Sequence, residues 1–188
     1  MNENILKQEI QDHIDLANQL TFELPKKIIQ VSEIITNAIN NKKKVILFGN
    51  GGSAADAQHI AAEFTGRFVK ERKGLPAIAL TTDTSALTAI GNDYGFDVIF
   101  SRQIEALANE GDILIGISTS GNSNNVIKAL EKGNELNCKT ISLTGKDGGK
   151  IRDISNININ ISHSVTARIQ EMHIMVGHLI CTVIDLKY

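Results

Sequence analysis

Short apolar runs alternate with helix-like segments along most of this 188-residue chain. Such alternation is typical of a parallel sheet that is covered by helices on both faces and joined by right-handed crossovers. The pattern therefore predicts an α/β fold. The predicted strands are residues 44–48, 76–81, 112–117, 139–144 and 156–161.

Two amphipathic helices are predicted before the sheet and one long helix after it. Apolar residues recur at helical spacing over residues 4–21, and a second helix begins near Pro25, a residue that favours the first turn. The last helix extends from about Val165 to Leu186. The sequence has no linker-like stretch and no repeat, which predicts a single domain. In this domain, 1–188, residues 1–42 form the N-terminal helices and residues 43–188 form the α/β core and C-terminal helix.

A glycine-rich loop follows the first predicted strand, and a hydroxyl-rich loop follows the third. Free backbone N–H groups at the start of a helix bind anions, and four hydroxyls in six residues suit the oxygens of a phosphate monoester. If the two strands are neighbours, both loops face one crevice beyond the carboxyl ends of the strands. We therefore expect a phosphorylated metabolite to bind there. The loops are Gly49-Asn50-Gly51-Gly52-Ser53 and Ser118-Thr119-Ser120-Gly121-Asn122-Ser123.

The first loop also matches the dinucleotide-binding pattern Gly-x-Gly-x-x-Gly/Ala. That motif requires an acidic residue about 20 residues further along the chain. The acidic residue that closes the second strand is Asp83, which lies 34 residues after Gly49. Because this separation is too long and the second loop would have no role, no nucleotide cofactor is predicted. A tight strand-to-helix turn without a ligand remains the simpler alternative.

His59 and Glu63 lie one turn apart on the predicted helix that leaves the first loop, so their side chains point the same way. Both a surface hydrogen bond and a ligand-binding or catalytic role remain open for this pair. In the last helix, Gln170 and His178 lie about 80° apart around the axis and about 12 Å apart along it. They reach one small ligand only if both are extended or if more than one chain contributes. His178 also has the apolar neighbours of a buried structural histidine.

Composition argues against several other classes of protein. The formal net charge is −2 and Trp is absent, so the chain offers no basic face for nucleic acid. It has no run of about 18 apolar residues and no basic-then-apolar start, so neither a membrane span nor a signal peptide is predicted. Cys138 and Cys181 are far apart and form no Cys-x2-Cys motif. We therefore expect a reducing, cytoplasmic location.

Together these motifs resemble the phosphoheptose isomerases, a branch of the sugar isomerase (SIS) domain family. The resemblance implies a three-layer sandwich with a five-stranded parallel sheet of flavodoxin-like type. It also implies a homotetramer with active sites at subunit interfaces. The similarity covers almost the whole chain, through the two loops, Asp56-Ala57-Gln58-His59, Gly91-Asn92-Asp93, Leu143–Gly149 and Arg168–His173.

The reaction implied by the resemblance is the aldose–ketose isomerisation of sedoheptulose 7-phosphate to glycero-manno-heptose 7-phosphate through an enediol. This step opens the pathway to the heptose of bacterial lipopolysaccharide cores and related surface glycans. By position, Glu63 resembles the catalytic base and His178 the acid. The substrate-binding residues implied are Ser118, Thr119, Ser120 and Ser123 for the phosphate, and Asn50, Gly51, Gly52, Ser53, Glu63, Asn92, Asp93 and Gln170 for the sugar.

The resemblance also implies one zinc ion per subunit, held by His59, Glu63, Gln170 and His178. Imidazole and carboxylate are ordinary zinc ligands, whereas an amide is a weak one. The sequence departs from the family at one point, because some members have Asp immediately before the Arg-Ile-Gln of the last helix and this chain has Ala167. Any role of that carboxylate is absent here or is supplied elsewhere.

Two alternative functions belong to other classes of protein. A relative with the same fold associates with a DNA-replication initiator and has a similar last helix, but it lacks the carboxylate of Glu63 and the imidazole of His178. This chain has both, which favours an enzyme. A sugar-phosphate sensor is the other alternative. Such sensors are usually joined to a helix-turn-helix module, for which 188 residues leave no room.

Overall fold

Five parallel strands form one sheet in the computed structural model, which describes residues 2–188. Their order is β2-β1-β3-β4-β5, the flavodoxin-like arrangement. The predicted α/β fold with a five-stranded parallel sheet is confirmed, and each predicted strand overlaps an observed one. The strands are β1 (Val45–Gly49), β2 (Ala77–Ala79), β3 (Ile113–Ser118), β4 (Lys139–Gly145) and β5 (Ile157–Ile161).

Two helices precede the sheet, as predicted, and a long helix follows it. The remaining helices connect the strands, and a 3₁₀ turn (Phe96–Val98) separates two of them. The division of residues 1–188 into N-terminal helices and a single-domain core stays a prediction. The helices are α1 (Asn2–Leu20), α2 (Leu24–Asn40), α3 (Gly52–Thr65), α4 (Thr84–Tyr94), α5 (Ile99–Leu107), α6 (Asn124–Glu135), α7 (Gly149–Ile154) and α8 (Thr166–Asp185).

The sheet separates two apolar cores. Along β1, Val45 and Leu47 pack with α2, α3 and α8, whereas Ile46 and Phe48 pack with α5 and α6. This alternation follows from the two-residue period of a strand, and the continuous apolar sequence follows because both faces are covered. The central strands are thereby fixed in register, with Gly49 opposite Ile117 at the last paired position of β1 and β3.

The carboxyl ends of β1 and β3 form the point at which the chain changes direction across the sheet. From β1 the chain passes first to β2 on one side, and it then crosses to β3 on the other side. In open α/β sheets the crevice at such a switch point is where ligands bind. Both the glycine-rich loop and the hydroxyl-rich loop leave the sheet here.

Candidate active site

The hydroxyl-rich loop after β3 gathers its side chains in front of α6. Ser118 Oγ lies 2.9 Å from Ser123 Oγ and 3.4 Å from Ser120 Oγ, and Ser118 is buried. Ser123 is the residue that precedes the first turn of α6, and its side chain makes no capping hydrogen bond to the helix. The converging hydroxyls and the helix N-terminus form a site suited to an anion, as the sequence predicted for a phosphate.

A second segment supports the hydroxyl-rich loop from the side of β4. Ile151 N donates to Gly121 O at 3.0 Å, and Lys150 N donates to Asn122 Oδ1 at 3.1 Å. A Cβ at Gly121 would lie 2.1 Å from Gly148 O, so the two loops touch through their backbones. Gly121 also has a φ of 65°, which favours glycine. The shape of the hydroxyl-rich loop is therefore fixed by contacts with the segment that follows β4.

The glycine-rich loop after β1 turns directly into α3. Gly51 has a φ of 57°, a backbone conformation that disfavours residues with a Cβ, and Gly52 is the first residue of the helix. Ser53 is buried beneath the loop. On the side facing α6, Asn50 pairs with Asn125 through two hydrogen bonds of 2.8 and 2.9 Å. The glycine-rich loop is thus joined by a side-chain contact to the first turn of α6, which directly follows the hydroxyl-rich loop.

A cavity of about 470 Å³ opens beside the glycine-rich loop. Asn50 and Gly51 form one wall, and residues of α4 and α5, including Gly91, form the other. Asn92 and Asp93 follow at the end of α4, where they are bonded to each other, with Asn92 Nδ2 2.8 Å from Asp93 Oδ1. Of the predicted sugar-binding residues, Asn50 and Gly51 line this cavity, whereas Gly52, Ser53, Glu63, Asn92, Asp93 and Gln170 do not.

His59, Glu63 and His178 form a cluster where α3 and α8 meet. His59 Nε2 lies 3.2 Å from Glu63 Oε1 and 3.0 Å from His178 Nε2. The side chain of Glu63 is 21% exposed and that of His59 51%, so the carboxylate is the more sheltered group. The structure thus brings together the predicted base, the predicted acid and a third donor.

One further side chain contacts this cluster and was not predicted. The ring of Phe68 stacks on that of His178, with centroids 5.6 Å apart and planes 23° apart. Phe68 belongs to the segment that follows α3, and this segment is tied to the end of α8. Asp185 accepts hydrogen bonds from Val69 N, Lys70 N and Arg72 Nε, at 2.8–2.9 Å. Phe68 therefore holds one face of the imidazole of His178.

Arg72 reaches back from the same segment to the end of α3. Its guanidinium donates to the carbonyls of Glu63 and Phe64, at 2.9 and 3.0 Å, as well as to Asp185. Burial disfavours the charge of Asp185, but the two backbone N–H groups and Arg72 outweigh this effect. The pKa of Asp185 therefore lies below its ordinary value. This buried ion pair fixes α3 against α8 beside the cluster.

The donor atoms of the cluster fit a metal ion. One donor atom from each of His59, Glu63 and His178 lies within 4.8 Å of the others. A four-coordinate zinc ion with bonds of about 2.0–2.1 Å keeps its ligand atoms roughly 3.3 Å apart. The observed separations of 3.0 and 3.2 Å are close to that value. Three of the four predicted ligands therefore lie close together, and their role as metal ligands stays a prediction.

Gln170, the fourth predicted ligand, belongs to α8. Its side chain contacts the start of α3 and does not reach the cluster. A Cβ at Gly52 would lie 1.5 Å from Gln170 Nε2, so the amide occupies the space that glycine leaves. Because Gly52 faces Gln170 and His59 faces His178, α3 and α8 run in the same direction. Gln170 is then about 12 Å from His178 along α8. Its role as a metal ligand stays a prediction that requires an extended side chain or a second chain.

Two acidic residues have roles that the sequence did not indicate. Asp56 lies one turn before His59, and burial raises its pKa to about 6, although His59 opposes the shift. Its Oδ2 atom is buried and has no hydrogen-bond partner within residues 2–188. Asp83, considered above as a ribose-binding residue, caps α4 by accepting a hydrogen bond from Ala86 N at 2.9 Å.

The fold identifies the class of α/β domain to which the chain belongs. Residues 10–145 match the family model of the SIS domain, which is more than half of the chain. The chain belongs to the SIS domain family. Among the described residues, no helix combines the length and the apolar character that crossing a membrane requires.

Curated relatives specify the branch. The phosphoheptose isomerase of a Nitratiruptor species is 57% identical over 180 residues, which are 96% of this chain and 96% of the relative. That of Aliarcobacter butzleri is 55% identical over 185 residues, 98% of this chain and 97% of the relative. These relatives place the chain among the phosphoheptose isomerases, so the resemblance stated from the sequence is confirmed.

Solved structures agree. The phosphoheptose isomerase of Neisseria gonorrhoeae is 46% identical and has a TM-score of 0.94, covering 99% of this chain and 100% of its own. That of Francisella tularensis is 37% identical and has a TM-score of 0.95, covering 99% of both chains. The arrangement of strands and helices described above is therefore that of this group of enzymes.

Proposed function

We propose that the protein is an aldose–ketose isomerase that converts sedoheptulose 7-phosphate into D-glycero-D-manno-heptose 7-phosphate. The observation that carries this proposal is the cluster of Glu63 with His178, in a chain whose relatives are phosphoheptose isomerases. The carboxylate and the imidazole are the two groups that an enediol route needs. The replication-initiator partner is not favoured, since this chain has the carboxylate of Glu63 and the imidazole of His178 that such a relative lacks. The sensor is not favoured either, since the relatives that match almost the whole chain are isomerases.

In the proposed reaction, Glu63 removes a proton from C1 of the ketose and returns it at C2. His178 gives a proton to the carbonyl oxygen on C2 as the enediol forms. It then accepts the proton of the C1 hydroxyl as the aldehyde forms. Each transfer is a general acid–base step, and such steps contribute typically about 10²–10⁴-fold to a rate. The partial burial of the Glu63 side chain suits this role, because water has less access to the proton that Glu63 carries from C1 to C2.

The two loops supply binding in this proposal. Ser118, Thr119, Ser120 and Ser123 hold the phosphate, together with the N-terminus of α6. The cavity beside the glycine-rich loop takes the sugar, whose hydroxyls contact polar groups around the opening. Asn50 and Gly51 line the cavity, and the further sugar contacts that we propose are Gly52, Ser53, Asn92, Asp93 and Gln170. Ala167 has no carboxylate, so Glu63 and His178 are the groups that transfer protons in this proposal.

Zinc is the metal that we propose for the cluster. His59, Glu63 and His178 would hold it, with Gln170 as a fourth ligand from an extended side chain or another subunit. When bound, zinc would polarise oxygen atoms of the substrate as a Lewis acid. The donor set supports this assignment, since imidazole nitrogen and carboxylate oxygen are ordinary zinc ligands.

A homotetramer is the assembly that we propose. Helix α1 contributes one buried residue, Leu16, and exposes large apolar side chains along its length. Ile5, Leu6 and Ile10 are each about 60% exposed, with values of 58%, 62% and 61%. An exposed apolar stripe of this kind marks an interface. Light scattering that shows a monomer at micromolar concentration would contradict this assembly.

The product would be a precursor of the heptose in lipopolysaccharide cores or related surface glycans. A cytoplasmic location fits the two buried cysteines, Cys138 and Cys181, which are both free thiols.

The decisive experiment is incubation of the protein with sedoheptulose 7-phosphate, followed by detection of an aldose heptose phosphate. Unphosphorylated sedoheptulose serves as the control, since it cannot use the phosphate loop. We expect conversion of the phosphate ester and very poor conversion of the free sugar. Absence of any aldose product would refute the proposed function, and equal turnover of the free sugar would remove the hydroxyl-rich loop from the site.

A further inference from the structure

Asn125 has no part in the proposed chemistry, although its side chain lies between the two loops of the crevice. It belongs to the first turn of α6, and only 2% of its surface is exposed. Its Nδ2 donates to Asn50 Oδ1 at 2.9 Å, and its Oδ1 accepts from Asn50 Nδ2 at 2.8 Å. Because a buried amide without partners is costly, this reciprocal pair strongly favours one arrangement of the two side chains.

The pair lies where the backbone no longer joins the two strands. The ladder between β1 and β3 ends at Gly49 and Ile117, and Asn50 is the next residue. Beyond that point the glycine-rich loop turns into α3, and the hydroxyl-rich loop turns into α6. The amide pair therefore continues the connection beyond the ends of β1 and β3, since it joins the glycine-rich loop to the start of α6.

We infer that Asn125 is a positioning residue that sets the distance between the hydroxyl-rich loop, which holds the phosphate, and the glycine-rich loop, which contacts the sugar. This inference rests on the proposed function. The phosphate is held by the loop before α6, whereas the sugar enters the cavity lined by Asn50 and Gly51 of the glycine-rich loop. A sugar phosphate spans these two points only if its carbon chain matches the distance between them. Asn125 therefore contributes to selection of a seven-carbon substrate over a shorter one.

The phosphate loop keeps its own shape without this pair. Lys150 N and Ile151 N already bind Asn122 and Gly121 on the β4 side, at 3.1 and 3.0 Å. Loss of the Asn125 amide should thus change where the loop lies relative to α3, and it should change phosphate binding itself very little. This difference separates a positioning role from a general structural one.

The test compares Asn125→Ala with Asn124→Ala, a control at the exposed neighbouring position. The measurements are kcat/KM for sedoheptulose 7-phosphate and for a six-carbon ketose phosphate, and the Kd of inorganic phosphate. For Asn125→Ala we expect kcat/KM on the seven-carbon substrate to fall about 10-fold or more, because a misplacement of about 1 Å can cost 10²-fold. Preference for seven carbons should shrink, and the Kd of phosphate should change less than about twofold. Asn124→Ala should match the wild type.

Two further variants keep the inference testable if Asn125→Ala does not fold. Asn125→Asp preserves size but loses one hydrogen-bond donor, and Asn50→Ala removes the partner from the other loop. Each should reduce seven-carbon preference, and the Asn50→Ala, Asn125→Ala double variant should be little worse than the worse single variant. Unchanged preference in all of them would overturn the inference, as would equal weakening of phosphate and substrate binding.

The wild-type protein separates this inference from the proposed function. If the wild type does not convert sedoheptulose 7-phosphate, the proposed function fails by itself. The binding of six-carbon and seven-carbon ketose phosphates to wild type and Asn125→Ala then decides whether the amide pair selects chain length. A selective wild type with an unselective variant would support it, and equal selectivity would refute it.

Discussion

Gly177 of α8 lies directly against Ile60 of α3, so that a Cβ at position 177 would lie 2.4 Å from Ile60 Cδ1. The residues next to this contact are His178 and His59, whose Nε2 atoms are 3.0 Å apart. The absence of a side chain at Gly177 therefore allows the two helices to approach closely enough for the imidazoles to meet. The cluster of His59, Glu63 and His178 therefore depends on a contact between two residues that are not part of it.

Gly177→Ala is expected to lower activity although alanine favours helices more than glycine does. The added methyl group must displace Ile60 or α8, and overpacking of a core costs about 1–3 kcal/mol. A shift of the helix also moves His178 away from Glu63. Urea denaturation and kcat/KM are the measurements. Gly91→Ala is the control for stability, since its Cβ would lie 3.7 Å from Ile99 Cγ2, an ordinary contact. Wild-type kcat/KM in Gly177→Ala would contradict this prediction.

Glu63→Gln is expected to reduce kcat by about 10²–10⁴-fold while substrate still binds, because an amide cannot accept the proton. His178→Gln should cause similar loss. The double variant should be little worse than the worse single variant, since both groups serve one transfer. Steady-state kinetics measure these effects, and Glu33→Gln on the exposed face of α2 is the control. Near-normal turnover by Glu63→Gln would leave the chain as a binding protein.

Ser118→Ala is expected to weaken substrate binding more than it slows turnover. A hydrogen bond to a charged group contributes about 1.5–3 kcal/mol, and Ser118 is the buried hydroxyl that contacts Ser123 at 2.9 Å. The measurements are the fold-changes in KM and in kcat relative to the wild type. Ser164→Ala, at an exposed position outside the loop, is the control. A change confined to kcat would place the phosphate elsewhere.

Asp185→Asn is expected to destabilise the protein at pH 7 by about 3–5 kcal/mol, because it leaves the buried Arg72 without its anionic partner. The pKa of Asp185 lies below its ordinary value of 3.8, so its ionised form stabilises the fold. That contribution is present above the ordinary pKa and is lost as pH falls through the lowered one. The difference in urea stability between wild type and variant should therefore narrow below about pH 4.

Glu71→Gln is the matched control for this ion pair. Arg67 and Glu71 also form an ion pair, at 3.5 Å, but their side chains are 58% and 88% exposed. Exposed pairs contribute about 0–1 kcal/mol, so this variant should be close to the wild type at every pH. An equal loss in both variants would show that burial does not distinguish the two pairs.

Removal of metal is expected to lower activity if zinc occupies the cluster, and added zinc should restore it. His59→Ala should reduce the zinc content of the purified protein, because it removes one of the three donors that converge. Metal analysis of the protein measures this directly and independently of turnover. Full activity and undiminished zinc content in His59→Ala would place the metal elsewhere or show that none is required.

The order of secondary-structure elements could be predicted from the sequence because each element has its own local signal. Apolar runs predicted the strands, and Pro25 together with helical spacing predicted the start of α2, which begins at Leu24. The second strand was predicted as residues 76–81, whereas β2 ends at Ala79. Its last residues turn into the loop before α4, and the strand lies at the edge of the sheet, where one neighbour alone fixes its length.

Parts of the site were also predictable, since loops at strand ends and the His59–Glu63 spacing are local patterns. The contacts that hold the site together were not. Asn125 pairs with a residue 75 positions away, and Asp185 binds a segment 113–116 positions away. Asparagine, aspartate and phenylalanine occur throughout the chain, so no spacing distinguishes these residues. Only the folded arrangement of helices identifies their partners.

The parallel packing of α3 and α8 has a consequence for the timing of synthesis. His59 and His178 are separated by 119 positions, so the first half of the site is translated long before the second. A nascent chain from which α8 has not yet emerged has the hydroxyl-rich loop. It lacks His178, the proposed acid, and Asp185, which anchors the segment after α3. Contacts of such long range form late and slowly. An incomplete chain can therefore form the proposed anion site before the proposed catalytic groups are all present.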